Sequence, residues 1–154
     1  NDERNQIAIS TAKKMIQNNI PTLILVEHVQ HGRYIQSQIK DSIFVNGQDE
    51  GSSYNMEMVK RFNNLEFGCM VGTSVIGEGV DTKACGAVFN LCGGKARSEL
   101  MQRIGRAVRK FPGKKVGYYF DFMDNNQKHL LKHSQIRKET IEETYGSKIN
   151  LIQV

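Results

Sequence analysis

The sequence has no apolar run approaching the roughly 20 residues that a membrane-spanning helix needs. Its first residues include Asp2, Glu3 and Arg4 where the apolar core of a signal peptide would stand. No initiator methionine precedes them, as expected of a segment cut from a longer protein. Cysteine is scarce. Cys69, Cys85 and Cys92 form no C-x-x-C pair and are odd in number, which argues against a disulfide framework. Each lies among apolar residues, so buried free thiols in a reducing, cytoplasmic compartment are expected. No internal repeat, low-complexity tract or linker divides the chain. No G-x-x-x-x-G-K-[ST] phosphate loop is present either. Gly94-Lys95 is followed by Ala96, and Phe89 stands where the loop's first glycine belongs. That excludes a self-contained phosphate-gripping loop.

What is present fits one compact domain. The 154 residues can bury a good core but not two of comparable size. A hydrophobic content of 39% and a charged content of 24% are ordinary for a globular protein. The formal charge of +5 suits a polyanionic partner without demanding one. Its distribution is more telling. From Lys95 to Lys115 run Lys95, Arg97, Arg103, Arg106, Arg109, Lys110, Lys114 and Lys115, against Glu99 alone.

Hydrophobic periodicity predicts alternating helices and strands. A helix is expected from Asp2 to about Asn18, with Ile7, Ala8, Thr11, Ala12, Met15 and Ile16 on one stripe. Pro21 ends it, and Thr22–Val26 is a continuous apolar run suited to a parallel strand covered on both faces. Further strands are expected over 42–45, 68–72, 86–91 and 116–122. Helices are expected over 30–40, after residue 53 with Tyr54, Met58 and Phe62 on one face, over 96–110, and from about 125 to 145. Asp124 with Gln127 resembles a capping box for the last helix, and Gly146 should stop it. The expected fold class is a three-layer α/β domain around a mostly parallel sheet, with helices on both faces.

Two stretches carry candidate chemistry. In Gln102-Arg103-Ile104-Gly105-Arg106-Ala107-Val108-Arg109, helical spacing turns Leu100, Met101, Ile104 and Val108 inward. Gln102, Arg106 and Arg109 fall on the opposite side with Arg103 beside them. Guanidiniums are rigid forks suited to phosphate oxygens, so the cluster suggests an absent polyanion. A solvated basic face is the bland alternative. In Gly72-Thr73-Ser74-Val75-Ile76-Gly77-Glu78-Gly79-Val80-Asp81, hydroxyls and glycines follow an expected strand end, where open α/β sheets bind ligands. A plain strand-to-strand turn is the alternative there.

Taken together and in this order, Q-R-x-G-R-x-x-R resembles motif VI of the superfamily 2 helicases, and T-x-x-x-x-E-G-V-D resembles their motif V. Leu23-Ile24-Leu25-Val26-Glu27-His28 with His31-Gly32 is similar to motif IV. Pro112-Gly113-Lys114-Lys115, the run Tyr119-Phe120-Asp121-Phe122, and His133-Ser134 with Arg137 fit bacterial and phage members of the DEAD/DEAH type that act in repair and recombination. Asn46 departs from the histidine common in the family, and Val108 from the glycine of DEAD-box relatives. Both departures disfavour the RNA-helicase subgroup.

The resemblance implies the second, C-terminal RecA-like domain of a two-domain motor, occupying residues 1–154. ATP with Mg2+ would be held mainly by an N-terminal RecA-like domain, because this chain has neither the phosphate loop nor a DExH box after a strand. By that resemblance Arg106 and Arg109 are arginine fingers, and Gln102 lies near the attacking water. Arg103 fixes the interdomain contact beside the nucleotide, and Gly79 and Asp81 approach the nucleotide itself. Thr73, with Gly72 and Ser74, holds a backbone phosphate of a nucleic acid, DNA rather than RNA. In this domain alone the arginines should be loosely held or occupied by solvent anions. A non-catalytic nucleic-acid-binding module, or a translocase that moves along duplex without separating strands, remains open. His129 and His133 are four apart, but no third ligand suggests itself, so no metal site is expected. Tyr118, Tyr119 and Phe120 are read as core, and Lys114 and Lys115 as a solvated turn.

Overall fold

The structure is a computed structural model of the 154-residue chain and describes residues 2–47, 52–73, 81–123 and 127–146. Helix α1, Asp2–Gln17, opens on two acids and closes near Lys14, matching the helix dipole at both ends. It buries Ala8, Ile9 and Ala12 one turn apart. Asn19, at φ 57°, and Pro21 then turn the chain into β1, Thr22–Val26. There follow α2, Val29–Gln38; β2, Ser42–Val45; α3, Ser52–Asn63; and β3, Cys69–Thr73. The chain continues through β4, Ala87–Asn90; α4, Arg97–Val108; β5, Tyr118–Phe120; and α5, Lys128–Tyr145.

The five described strands form one sheet in the order β2-β3-β1-β4-β5, and every pairing is parallel. Parallel pairing requires a crossover between successive strands and leaves β1 covered on both sides, so its five residues are all buried and almost all apolar. One face of the sheet packs Ile24, Val26, Phe44, Val71 and Phe89 against α1 and α2. The other packs Leu23, Leu25, Val45, Met70 and Val88 against α3 and against Ala107 of α4. This is the three-layer α/β architecture expected from the sequence.

The chain fills one side of β1 first, then crosses to the other. The topological switch therefore falls at the carboxyl ends of β1 and β4, where a ligand crevice is expected in such sheets. There the Gly93 N–H donates to the Glu27 carboxylate at 3.4 Å.

Several local expectations are corrected. The buried stripe of α4 is Leu100, Ile104 and Ala107, while Val108 is 52% exposed and Met101 only partly buried. Ala107 packs in the cluster of Val88 and Tyr119, and Gly117, just before β5, lies so close to the end of α4 that a Cβ there would overlap the Ala107 carbonyl. The last strand is shorter than expected, because Val116 stays 58% exposed and Asp121 leaves the ladder to meet α5. Tyr118 is 39% exposed, although its ring stacks on Phe120, which stacks in turn on Phe89. On α3 the buried face is Met58, Val59 and Phe62, with Tyr54 at its exposed margin. Gln127 precedes α5 without making a side-chain cap, and Asp124 lies outside the described residues. Gly146 ends that helix in the left-handed region at φ 56°, as expected.

Candidate functional site

The arginine helix is seated by its apolar stripe and by Lys114. That lysine is no solvated turn residue: its ammonium donates to the Cys85 carbonyl at 2.6 Å and to the Arg109 carbonyl at 2.8 Å. It thus ties the carboxyl end of α4, where a cation is favoured, to the segment entering β4.

Opposite α4 runs the segment 81–84, which leads toward β4. Asn63, the last residue of α3, clamps it from below. Its amide donates to the Asp81 carbonyl at 2.7 Å and accepts from the Ala84 N–H at 3.1 Å. This clamp aims Asp81 and Thr82 at the arginines. Arg109 is ion-paired to the Asp81 carboxylate, which Lys83 also approaches at 3.7 Å. Arg106 donates to the Thr82 hydroxyl at 3.3 Å. Burial pushes the Arg106 guanidinium below its ordinary pKa, with Arg109 beside it acting the same way and Asp81 opposing. A half-buried cation of that kind gains from an anion placed against it.

Where the sequence suggested arginines loosely held or occupied by solvent anions, Arg106 and Arg109 each have a partner within the domain. Arg103 is placed apart from the other two. Its side chain is only 11% exposed and turns from Arg106 toward the end of β4, donating to Asn90 Oδ1 and to Glu99, both at 3.2 Å. Gln102 remains on the exposed side of the helix. A Cβ at Gly105 would meet nothing within 4 Å, so that face is open to a partner.

Gly72 and Thr73 end β3, paired in register with Leu25 and Val26 of β1. Thr73 is 5% exposed at the carboxyl edge of the sheet. Ser74 and Gly79 lie outside the described residues. The site thus brings together Asp81, Arg106 and Arg109, sets Arg103 to one side, and leaves Gln102 facing outward.

Sequence reasoning missed Asn63, Thr82 and Asn90. Thr82 directly follows the motif V aspartate and could have been found by its position. Nothing in the spacing around Asn63 announces a contact with the segment 81–84. His129 and His133 pack ring on ring at 4.3 Å on an α5 face where burial is slight, and no group of three metal-ligating side chains occurs among the described residues.

The three cysteines are free and buried. Burial pushes the Cys69 and Cys85 thiols from 9.0 up to about 12, and Cys92 up to about 11. Raised values favour the protonated fold. Their contribution to stability is whole below pH 9 and is lost as pH rises toward the folded values. The native chain should react with Ellman's reagent at pH 8 far more slowly than the urea-unfolded chain; equal rates would contradict the burial.

An all-parallel five-stranded sheet with helices on both faces, and the arginine helix beside the segment that leads into β4, is a RecA-like α/β domain. The helicase conserved C-terminal domain model matches residues 7–111, and the chain belongs to that family, as a superfamily 2 helicase C-terminal domain. Putative helicase 22 of a Sulfolobus islandicus filamentous virus is 28% identical over 152 residues, covering 96% of this chain and 26% of that protein. The ATP-dependent DNA helicase uvsW of Enterobacteria phage T4 is 24% identical over 127 residues, covering 80% of this chain and 25% of that protein. The chain thus spans about a quarter of these relatives. The crystal structure of T4 UvsW superposes with a TM-score of 0.72 at 22% identity, over 93% of this chain and 33% of that one. The C-terminal domain of the DEAD-box protein Dbp5 gives 0.72 at 16% identity, over 96% and 82%. These likenesses establish the fold. No described helix is long and apolar enough to cross a membrane.

Proposed function

We propose that this chain is the C-terminal motor domain of an ATP-dependent DNA helicase, supplying arginine fingers to an ATP held with Mg2+ by an N-terminal RecA-like domain. The observation that carries the reading is the convergence of Arg106, Arg109 and Asp81 on one edge of α4. Phosphoryl transfer spreads charge over the γ-phosphoryl oxygens, and guanidiniums brought from outside the phosphate loop stabilise it. Arg106 and Arg109 take that role, and Gln102 on the exposed face reaches the attacking water. Asp81 exchanges its Arg109 partner for the nucleotide's sugar, and Gly79 lies alongside. Arg103 secures the interdomain wall. DNA is favoured over RNA because uvsW is named as a DNA helicase and because Asn46 and Val108 depart from the DEAD-box pattern.

Thr73, with Gly72 and Ser74, grips a backbone phosphate. Asp81 stands eight positions later in the same segment, so closure around ATP and its release on hydrolysis shift the grip on the strand. In the full-length protein, Thr73→Ala should weaken single-stranded DNA binding by about tenfold, the value of one hydrogen bond to a charged group. ATP affinity should hold. Loss of ATP affinity with DNA binding intact would reverse the two roles.

A further inference from the structure

The most buried charge outside the candidate site is Arg137 on α5, which is 5% exposed. Its guanidinium grips Asp121 through Nε at 2.8 Å and Nη2 at 3.0 Å, and Nη1 donates to the Gly94 carbonyl at 2.9 Å. Asp121 also accepts from the Asn90 amide at 3.4 Å, and Asn90 Oδ1 accepts from Arg103 Nη1 at 3.2 Å. An unbroken line of hydrogen bonds runs from α5, through the ends of β5 and β4, to the middle of the arginine helix.

A buried ion pair is often no more stabilising than apolar residues of the same volume. What it supplies that they do not is direction. Two features of α4 make direction matter. Its first turn begins after Ala96, which offers no side-chain cap, so nothing local fixes where the helix starts. Arg137 instead holds the launching loop at Gly94, whose φ is +87°. Arg103 lies three residues before Arg106, on neighbouring parts of the same surface, so the rotation of the helix at one fixes the other.

We propose that Arg137 is a positioning residue for the arginine helix. By holding the Gly94 carbonyl and, through Asp121 and Asn90, the Arg103 guanidinium, it sets the rotation of α4 at which Arg106 and Arg109 meet the nucleotide. The proposal rests on the finger role assigned to those two arginines. An internal control exists. Arg97 joins the same two helices on the surface, to Glu143 at 3.5 Å and Thr144 at 3.3 Å, without reaching the interior.

The test uses Arg137→Lys, which keeps the charge and loses the fork, with Arg97→Ala beside it. In the full-length protein at saturating DNA, Arg137→Lys should lower kcat by about ten- to a hundredfold, the effect of misplacing a reacting group by a fraction of an ångström to one ångström. KM for ATP should stay nearly constant, and Arg97→Ala should match wild type. In the 154-residue chain, the Arg103 guanidinium 15N–H signal should move in Arg137→Lys and stay in Arg97→Ala. A folded Arg137→Lys protein with wild-type kcat, or with an unmoved Arg103 signal, overturns the proposal. Should Arg137→Lys fail to fold, Asp121→Asn weakens the line at its Arg137 link without touching Arg103's own partner, and is judged on the same two readouts. If the wild-type protein hydrolyses no ATP, the helicase reading falls, and the Arg103 signal alone then decides the positioning role.

Discussion

Arg106→Ala in the full-length protein is expected to lower DNA-stimulated ATP hydrolysis by about a thousandfold or more, the range found when an arginine finger is removed. The fold should survive, because α4 is seated by Leu100, Ile104 and Ala107 and by the Lys114 tether, none of which involves the Arg106 side chain. Burial already sets this guanidinium against its own charge, and the neutral Thr82 hydroxyl is one of its acceptors, at 3.3 Å. A phosphoryl oxygen is a far better partner, since charge-assisted hydrogen bonds are about twice as strong as neutral ones. Arg106→Lys should recover only a small part of the rate, because an ammonium cannot engage two oxygens in a plane. Single-turnover hydrolysis at saturating ATP is the measurement. A rate within a few-fold of wild type, from a folded Arg106→Ala protein that binds ATP, would show that α4 is a solvated basic face.

The largest stability effect should come from Asp121→Ala. Its carboxylate meets Arg137 at 2.8 and 3.0 Å, with side-chain exposures of 18% for Asp121 and 6% for Arg137. Removing one member of a buried pair strands the other's charge and costs about 3–5 kcal/mol. Arg137 also donates to the Gly94 and Phe122 carbonyls and to the Ser134 hydroxyl, neutral acceptors that do not replace a counter-charge. Urea unfolding of the 154-residue chain measures the loss. Asp121→Leu with Arg137→Met should recover much of it, since an apolar pair of similar volume carries no desolvation cost. A single-variant loss below about 1 kcal/mol, the scale of a surface pair, would mean that water reaches the pair.

The sheet was legible because parallel strands covered on both faces must be apolar throughout, and Thr22–Val26 and Cys69–Thr73 carry that mark in their composition. The arginine helix was legible from the three- and four-residue recurrence of its apolar positions, and α4 spans Arg97–Val108. What escaped is set by tertiary approach. Ala107 and Val108 are equally placed by periodicity, and the difference is tertiary: Ala107 lies in the cluster with Val88 and Tyr119, and Gly117 packs against its carbonyl. Arg103 looks equivalent to Arg106 along the helix, yet Asn90 at the end of β4 draws it inward. Asn63 is separated from Asp81 by 18 residues, and only the fold brings its amide to that backbone. Residues that recognise a repeating chemical group can be read from spacing; residues that hold those residues in place depend on distances the chain alone does not encode.

The pairing of Arg109 with Asp81 also changes what the arginine helix is before nucleotide arrives. The carboxylate supplies a counter-charge within the domain, which a nucleotide bound as proposed would have to displace. On this account the resting domain keeps its arginines ordered and aimed, so little rearrangement is needed when the two halves of the site close.

The central claim is that α4 forms one wall of an ATP site completed by a second domain. It is tested most directly by a crystal structure of the full-length protein with Mg2+, ADP and aluminium fluoride. The account predicts guanidinium nitrogens of Arg106 and Arg109 at hydrogen-bonding distance, about 3 Å, from the fluorides that stand for the transferring phosphoryl group. An occupied nucleotide in a closed protein with both guanidiniums still on Thr82 and Asp81, and no contact to the fluorides, would contradict it.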